Sequence, residues 1–118
     1  MCLVSSRGGR RWVIPKGRIE PQQTPQEAAQ AEAWEEAGVL GRLPSQSIGQ
    51  FSYDKLGQTF LVEVFYLDVE SIRDVWPERH GRERVWVSFE EACCRVSEPE
   101  LRAILGQFAA TQVQVASV

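Results

Sequence analysis

Between Thr59 and Val69 the chain reads TFLVEVFYLDV. β-Branched and aromatic residues dominate this run, the composition that fits a pleated, half-buried surface, and it predicts the strongest strand of the chain. Ile48 to Tyr53 predicts a second strand, joined to the first as a hairpin through the turn Asp54-Lys55-Leu56-Gly57-Gln58. Cys2–Ser5 and Arg11–Ile14 predict a shorter hairpin around Arg7-Gly8-Gly9-Arg10. Val85-Trp86-Val87 predicts one more strand. Ser88-Phe89-Glu90-Glu91 opens a short helix with a capping-box pattern. From Glu98 to about Phe108 the apolar residues Leu101, Ile104, Leu105 and Phe108 recur at helical spacing, and the tail from about Thr111 is expected to fray.

A different period governs TPQEAAQAEAWEEAG. Thr24 with Glu27 three residues on reads as a capping box, and Pro25 sits at the first helical position. Gly38 stands where a left-handed cap residue ends a helix, so the helix is predicted over Pro25–Ala37. Ala28, Ala29, Ala33 and Ala37 permit close packing on a sheet. This order of elements fits one α/β domain: a mixed β-sheet between helices.

That helix carries Glu32, Glu35 and Glu36 at spacing i, i+3, i+4. Side chains three and four apart are surface neighbours, so the carboxylates share a stripe and repel one another. Such a stripe suits a hard divalent cation, since magnesium takes oxygen ligands, commonly one or two carboxylates with waters and substrate phosphates. A merely solvated acidic face is the competing reading. Upstream, the loop in Trp12-Val13-Ile14-Pro15-Lys16-Gly17-Arg18-Ile19-Glu20 adds Lys16 and Arg18. Gly17 is expected to use backbone angles closed to other residues, so that its carbonyl or amide points at a ligand. Acid for metal and base for phosphate within one loop–helix unit suggest a metal–phosphate site.

The segment WVIPKGRIEPQQTPQEAAQAEAWEEAG, Trp12 to Gly38, resembles the Nudix box, G-x5-E-x7-R-E-U-x-E-E-x-G-U with U a bulky aliphatic residue. Gly17 matches the first glycine, Glu32 the glutamate after the arginine, Glu35 and Glu36 the paired glutamates, Gly38 the second glycine and Val39 the last aliphatic. Gln23 replaces the first glutamate, Ala31 the arginine and Ala33 the bulky residue. The first two lose both members of a mutually supporting pair. Losing both strands no charge, as losing one would.

The resemblance implies a Nudix-type α/β/α sandwich and a metal-dependent pyrophosphohydrolase, using Mg2+ with Mn2+ as the alternative ion. It implies metal ligation by Glu32, Glu35 and Glu36, with the Gly17 carbonyl as a further ligand. These glutamates would carry catalysis, joined by Glu83 just before Val85-Trp86 as a general base. Its competing reading is a surface ion pair with a neighbouring arginine. His80 reads as an exposed loop residue. Arg7, Arg10, Arg11, Lys16, Arg18 and Lys55 would form a basic rim for substrate phosphates, arginine forks suiting phosphate oxygens. Tyr53, Phe51 and Trp12 are the aromatic residues available to stack on a base. RWVIPKGRIE and WPERHGRERVWVSFEEA are similar to the diphosphoinositol-polyphosphate and diadenosine-polyphosphate branch and its bacterial relatives. Two alternatives stay open. One is another substrate: a nucleoside triphosphate, ADP-ribose or an RNA 5′ end. The other is a non-catalytic domain binding a phosphorylated ligand.

Composition narrows the context. At 118 residues the chain can bury one core, so residues 1–118 are expected to form a single domain. The net charge of −3 marks no general nucleic-acid or membrane surface. No apolar run approaches the ~20 residues of a membrane span, and no signal peptide is visible. Cys2 and the adjacent Cys93-Cys94 argue for reduced thiols and a cytoplasmic setting. One histidine and no metal spacing around the cysteines argue against zinc. The family usually has a strand ahead of the one holding Leu3 and Val4; here Met1 lies almost inside it. An edge left uncovered there would favour a homodimer.

Overall fold

The computed structural model describes residues 1–44 and 46–116, with side chains described as far as residue 110. Seven strands and three helices follow in the order β1 (Cys2–Ser5), β2 (Trp12–Val13), α1 (Pro25–Ala37), β3 (Val39–Gly41), β4 (Ser47–Lys55), β5 (Gln58–Phe65), β6 (Val69–Ile72), β7 (Arg84–Trp86), α2 (Phe89–Arg95) and α3 (Pro99–Ala116) among the described residues. No helix of the described residues is long and apolar enough to cross a membrane.

β1 is the spine. It pairs antiparallel with β2 (Val4 opposite Val13) and with β7 (Leu3 opposite Val85). Successive side chains of a strand point to opposite faces, and both Leu3 and Val4 are fully buried. Leu3 enters a core with Phe51, Val64, Ala92, Val96, Leu101 and Leu105, on the side of α2 and α3. Val4 enters a second core with Ala33, Ala37 and Val39, under α1. The sheet is therefore covered on both faces, giving the expected α/β sandwich. The expected mixed sheet is not found among the described residues: every strand pair is antiparallel, in separate ladders β2-β1-β7, β3-β6 and β4-β5, because no two strands that pair here run in the same direction.

The β4–β5 hairpin turns on Leu56 (φ 52°) and Gly57 (φ 77°), two positive φ angles that match the right-handed twist of the flanking strands. The run Thr59–Val69 is not one strand. β5 leaves the hairpin ladder at Phe65, and after Tyr66-Leu67-Asp68 the chain resumes as β6 against β3, Val39 opposite Ile72. Apolar composition continues across this change of partner. α2 opens with half a capping box. The Ser88 hydroxyl accepts the Glu91 N–H at 3.1 Å, but Glu91 turns its carboxylate forward to Arg95 Nε at 2.8 Å. An arginine one turn on competes with the cap backbone for that carboxylate. α3 extends past Thr111 to Ala116; residues 117 and 118 lie outside the described residues.

Candidate active site

Helix α1 is pinned at both ends, which determines where its carboxylates lie. The Thr24 hydroxyl accepts the Glu27 N–H at 3.1 Å, and Glu27 Oε1 accepts the Thr24 N–H at 2.9 Å. This reciprocal bonding holds the Glu27 carboxyl below the usual carboxylate range. At the other end Gly38 takes φ 68°, the left-handed conformation glycine adopts without cost. Its N–H donates to Trp34 O at 3.0 Å. Trp76 Nε1 donates to Glu36 O at 3.0 Å and Arg84 Nη1 to Ala37 O at 2.9 Å. Arg84 also lies over the Trp76 ring, 4.2 Å from its centroid, so a cation closes the negative end of the helix.

The three glutamates line a surface cleft that Gly17, Lys16 and Arg82 also border, but burial separates them. Glu36 is 4% exposed, Glu32 half-buried and Glu35 exposed. Glu36 Oε1 accepts the Lys16 backbone N–H at 3.2 Å, and Oε2 faces Arg82 Nη2 at 3.4 Å. Glu36 and Glu32 are near enough to share a hydrogen bond between their carboxyls. Burial pushes the Glu36 carboxyl up to about 7, against the pull of Arg82 and the Lys16 amide. Burial also raises Glu32, whose bond to Glu36 opposes the shift while the charges of Glu35 and Glu78 add to it.

Gly17 belongs to this group for a reason the sequence did not suggest. Its φ lies outside the left-handed region, which among the described glycines only Gly9, Gly38 and Gly57 occupy. What matters is space: a Cβ on Gly17 would stand 2.2 Å from Glu32 Oε1 and 2.3 Å from Glu32 Cδ. With no side chain at this position the loop lies against that carboxyl; a Cβ here would push the Glu32 carboxyl out of its present place.

Among the described residues no three His, Cys, Asp or Glu side chains converge as a ready metal cage. The closely associated donors are Glu32 and Glu36 beside the Gly17 backbone, with Glu35 at the exposed side. Two carboxylates are what magnesium ordinarily takes from a protein. A cation placed beside Glu32 and Glu36 would offset the cost of burying Glu36 and the repulsion between the two carboxylates. The donor set therefore fits a hard divalent ion.

Arg82 and Glu78 were not anticipated. Arg82 donates from Nε to Glu78 Oε1 at 2.9 Å and from Nη1 to the Ser5 carbonyl at 2.9 Å, besides facing Glu36. Glu78 is anchored to α1 through its N–H, which donates to Glu35 O at 3.0 Å. Glu83, singled out earlier as the base, lies outside the residues lining the cleft, with an exposed side chain; its N–H donates to Ser5 Oγ at 2.9 Å. The extended stretch Arg82-Glu83 leading into Arg84 of β7 alternates sides, turning both arginines towards α1 and the glutamate away. That period-two signal was available in RERVW. His80 is exposed.

Of the basic residues, Arg7, Arg11, Lys16, Arg18 and Lys55 line the cleft, while Arg10 does not. Arg11 is drawn towards Glu98, 3.9 Å away. Lys16 Nζ sits 4.1 Å from the centre of the Tyr53 ring, which stacks on Phe60 at 5.3 Å, and Arg18 lies 6.0 Å from the Phe60 centre. Phe51 is buried in the core and Arg95 lies over Trp12 at 5.6 Å.

A glycine pressed on a glutamate of a capped helix, with a second buried acid one turn on, gives three-dimensional form to the box matched in sequence. The model of the NUDIX domain matches residues 1–111. The chain belongs to the Nudix family. It is 34% identical over 99 residues to Nudix hydrolase 18, mitochondrial, of Arabidopsis thaliana, covering 80% of this chain and 56% of that protein. It is 38% identical over 96 residues to diphosphoinositol polyphosphate phosphohydrolase 3-alpha of Mus musculus, covering 78% and 56%. The chain thus spans about half the length of the curated relatives it matches. The E. coli ORF135 protein shares the Nudix fold with a TM-score of 0.71 at 19% identity, over 94% of this chain and 80% of that one. The Ap4A hydrolase of C. elegans gives 0.67 at 18%, over 94% and 84%.

Proposed function

We propose that this Nudix domain is a divalent-metal-dependent pyrophosphohydrolase cleaving a phosphoanhydride bond of an inositol- or nucleoside-linked polyphosphate. The observation that carries the reading is the buried Glu36 beside the half-buried Glu32, which lies against Gly17, on a helix capped at both ends. Glu32 and Glu36 would hold the ion, Mg2+ or Mn2+, with Glu35 at the exposed side of the site and the Gly17 carbonyl as a further oxygen donor. A bound divalent ion supplies charge neutralisation at the phosphates and a lowered pKa for a ligated water. The chain's residues supply the rest. Arg7, Lys16, Arg18 and Lys55 attract and orient the phosphates, and the cleft restricts water. Of the two later glutamates, Glu78 is better placed than Glu83 to accept a proton there, because it lines the cleft.

The inositol-linked class is favoured over the nucleoside-linked one. Lys16 and Phe60 already occupy Tyr53, the core claims Phe51, and Arg95 covers Trp12, so none of these rings presents an open stacking platform for a base. The likeness to the mouse phosphohydrolase points the same way. The test is phosphate release from a diphosphoinositol polyphosphate, diadenosine polyphosphates, nucleoside triphosphates, ADP-ribose and 5′-triphosphorylated RNA, with and without magnesium. Turnover of the first, abolished by chelator, is expected. Activity on ADP-ribose but not on polyphosphates would replace the substrate reading. Binding without turnover would make the domain a sensor.

A further inference from the structure

We infer that Arg82, which lies outside the box, is the positioning residue that sets Glu36 for reaction, doing for this chain what its incomplete box does not do from within. Three observations converge on it. Gln23 and Ala31 leave the box without an internal carboxylate–arginine pair. Gln23 is used locally instead, its Oε1 accepting the Glu20 N–H at 2.9 Å. The most deeply buried carboxylate of the site, Glu36, takes its cation from the segment before β7. There Arg82, its side chain 9% exposed, hydrogen-bonds Glu78 and the Ser5 carbonyl, each at 2.9 Å, and pairs its charge with Glu36 at 3.4 Å.

The chemistry requires an arginine. A guanidinium offers five N–H donors in a rigid plane, so one group can bond two acceptors and still face a third carboxylate; an ammonium is a point charge on a flexible stem. The three partners come from separate stretches of the chain. Ser5 closes β1, Glu36 ends the acidic stripe of α1, and Glu78 is itself bonded to α1 through the Glu35 carbonyl. Arg82 therefore ties the helix that carries the carboxylates to the strand at the centre of the sheet. The Glu36 carboxyl is held from two sides, with Oε1 on the Lys16 amide and Oε2 facing the guanidinium. Partners of this kind, which orient a ligand without touching substrate, typically change metal affinity or activity 10–100-fold when removed.

This inference rests on the hydrolase reading above, and the experiment separates the two. Wild type, Arg82→Ala and Arg82→Lys are assayed with the polyphosphate substrate that wild type turns over, alongside circular dichroism and magnesium titration by calorimetry. Wild type inactive on every substrate would sink the hydrolase reading. With active wild type, Arg82→Ala is expected to lose about 10–100-fold in kcat with KM nearly unchanged, and to bind magnesium more weakly. Guanidinium ion, kept well below unfolding concentrations, is expected to restore part of that kcat. It can enter the cavity of about 510 Å³ that Arg7, Glu78, Gly81 and Arg82 line. Arg82→Lys keeps the balancing charge, so it serves where Arg82→Ala does not fold; it too is expected to lose roughly 10-fold in kcat, because one ammonium does not bond Glu78 and the Ser5 carbonyl while facing Glu36. Wild-type kcat in a folded Arg82→Ala or in Arg82→Lys would overturn the assignment. So would a rise in KM alone, which would make Arg82 a substrate ligand, or a kcat loss that guanidinium leaves untouched.

Discussion

Replacing Glu36 by glutamine should make the metal-free protein more stable at alkaline pH while removing its activity. Glu36 is 4% exposed, and burial raises its carboxyl from 4.5 to about 7. Between those two values the native state holds a proton that the unfolded chain has released. The unfolded state binds fewer protons there, so stability falls as pH rises through the window. At about 1.36 kcal/mol per unit, a rise of two to three units corresponds to about 3 kcal/mol lost between pH 4.5 and 7. Glu32 is raised as well and acts with the same sign. Glutamine keeps an oxygen for the Lys16 amide and does not titrate, and Arg82 retains Glu78 and Ser5. Urea unfolding in chelator, followed by circular dichroism from pH 5 to 8, should show wild type losing stability along the series and Glu36→Gln losing less. The two curves are expected to lie within about 1 kcal/mol at pH 5, the net value of one hydrogen bond. At pH 8 the variant should be the more stable by about 1–3 kcal/mol. Magnesium should then stabilise wild type at pH 8 and leave the variant nearly unmoved, because a ligand stabilises only the state that binds it. Parallel pH curves for the two proteins would refute the reasoning.

Gly17→Ala drives a methyl into the Glu32 carboxyl; because that carboxyl ends a flexible side chain, stability should change by less than about 1 kcal/mol, while its displacement from the site should cost at least about 10-fold in kcat, read by urea unfolding and steady-state kinetics. Thr24→Ala removes the cap that accepts the Glu27 N–H and should cost about 1 kcal/mol by urea unfolding. Leu3→Ala opens a cavity in the core beneath α2 and α3 and should cost about 2–5 kcal/mol in the same assay, enough to threaten folding at this size.

Much of this domain is written locally, and the sequence alone determined those parts. Thr24, Pro25, Glu27 and Gly38 set the bounds of α1, since caps act within one turn. Glu32 and Glu36 share a face because the helix period puts them there. Gly9 and Leu56-Gly57 mark their hairpins by the backbone angles that turns demand. Tertiary structure decided whatever depends on groups far apart in the chain. The apolar run after Thr59 could not show that its end leaves β4 for β3, because composition does not record a partner. Nor could it tell that Gly17 is needed for space rather than for its backbone angles, since Glu32 meets it only after folding. Arg82, from beyond the box, balances the charge that the box leaves buried. A carboxylate's neighbours and depth, and hence its proton affinity, are properties of the packed molecule, because desolvation and Coulomb attraction act through space and not along the chain.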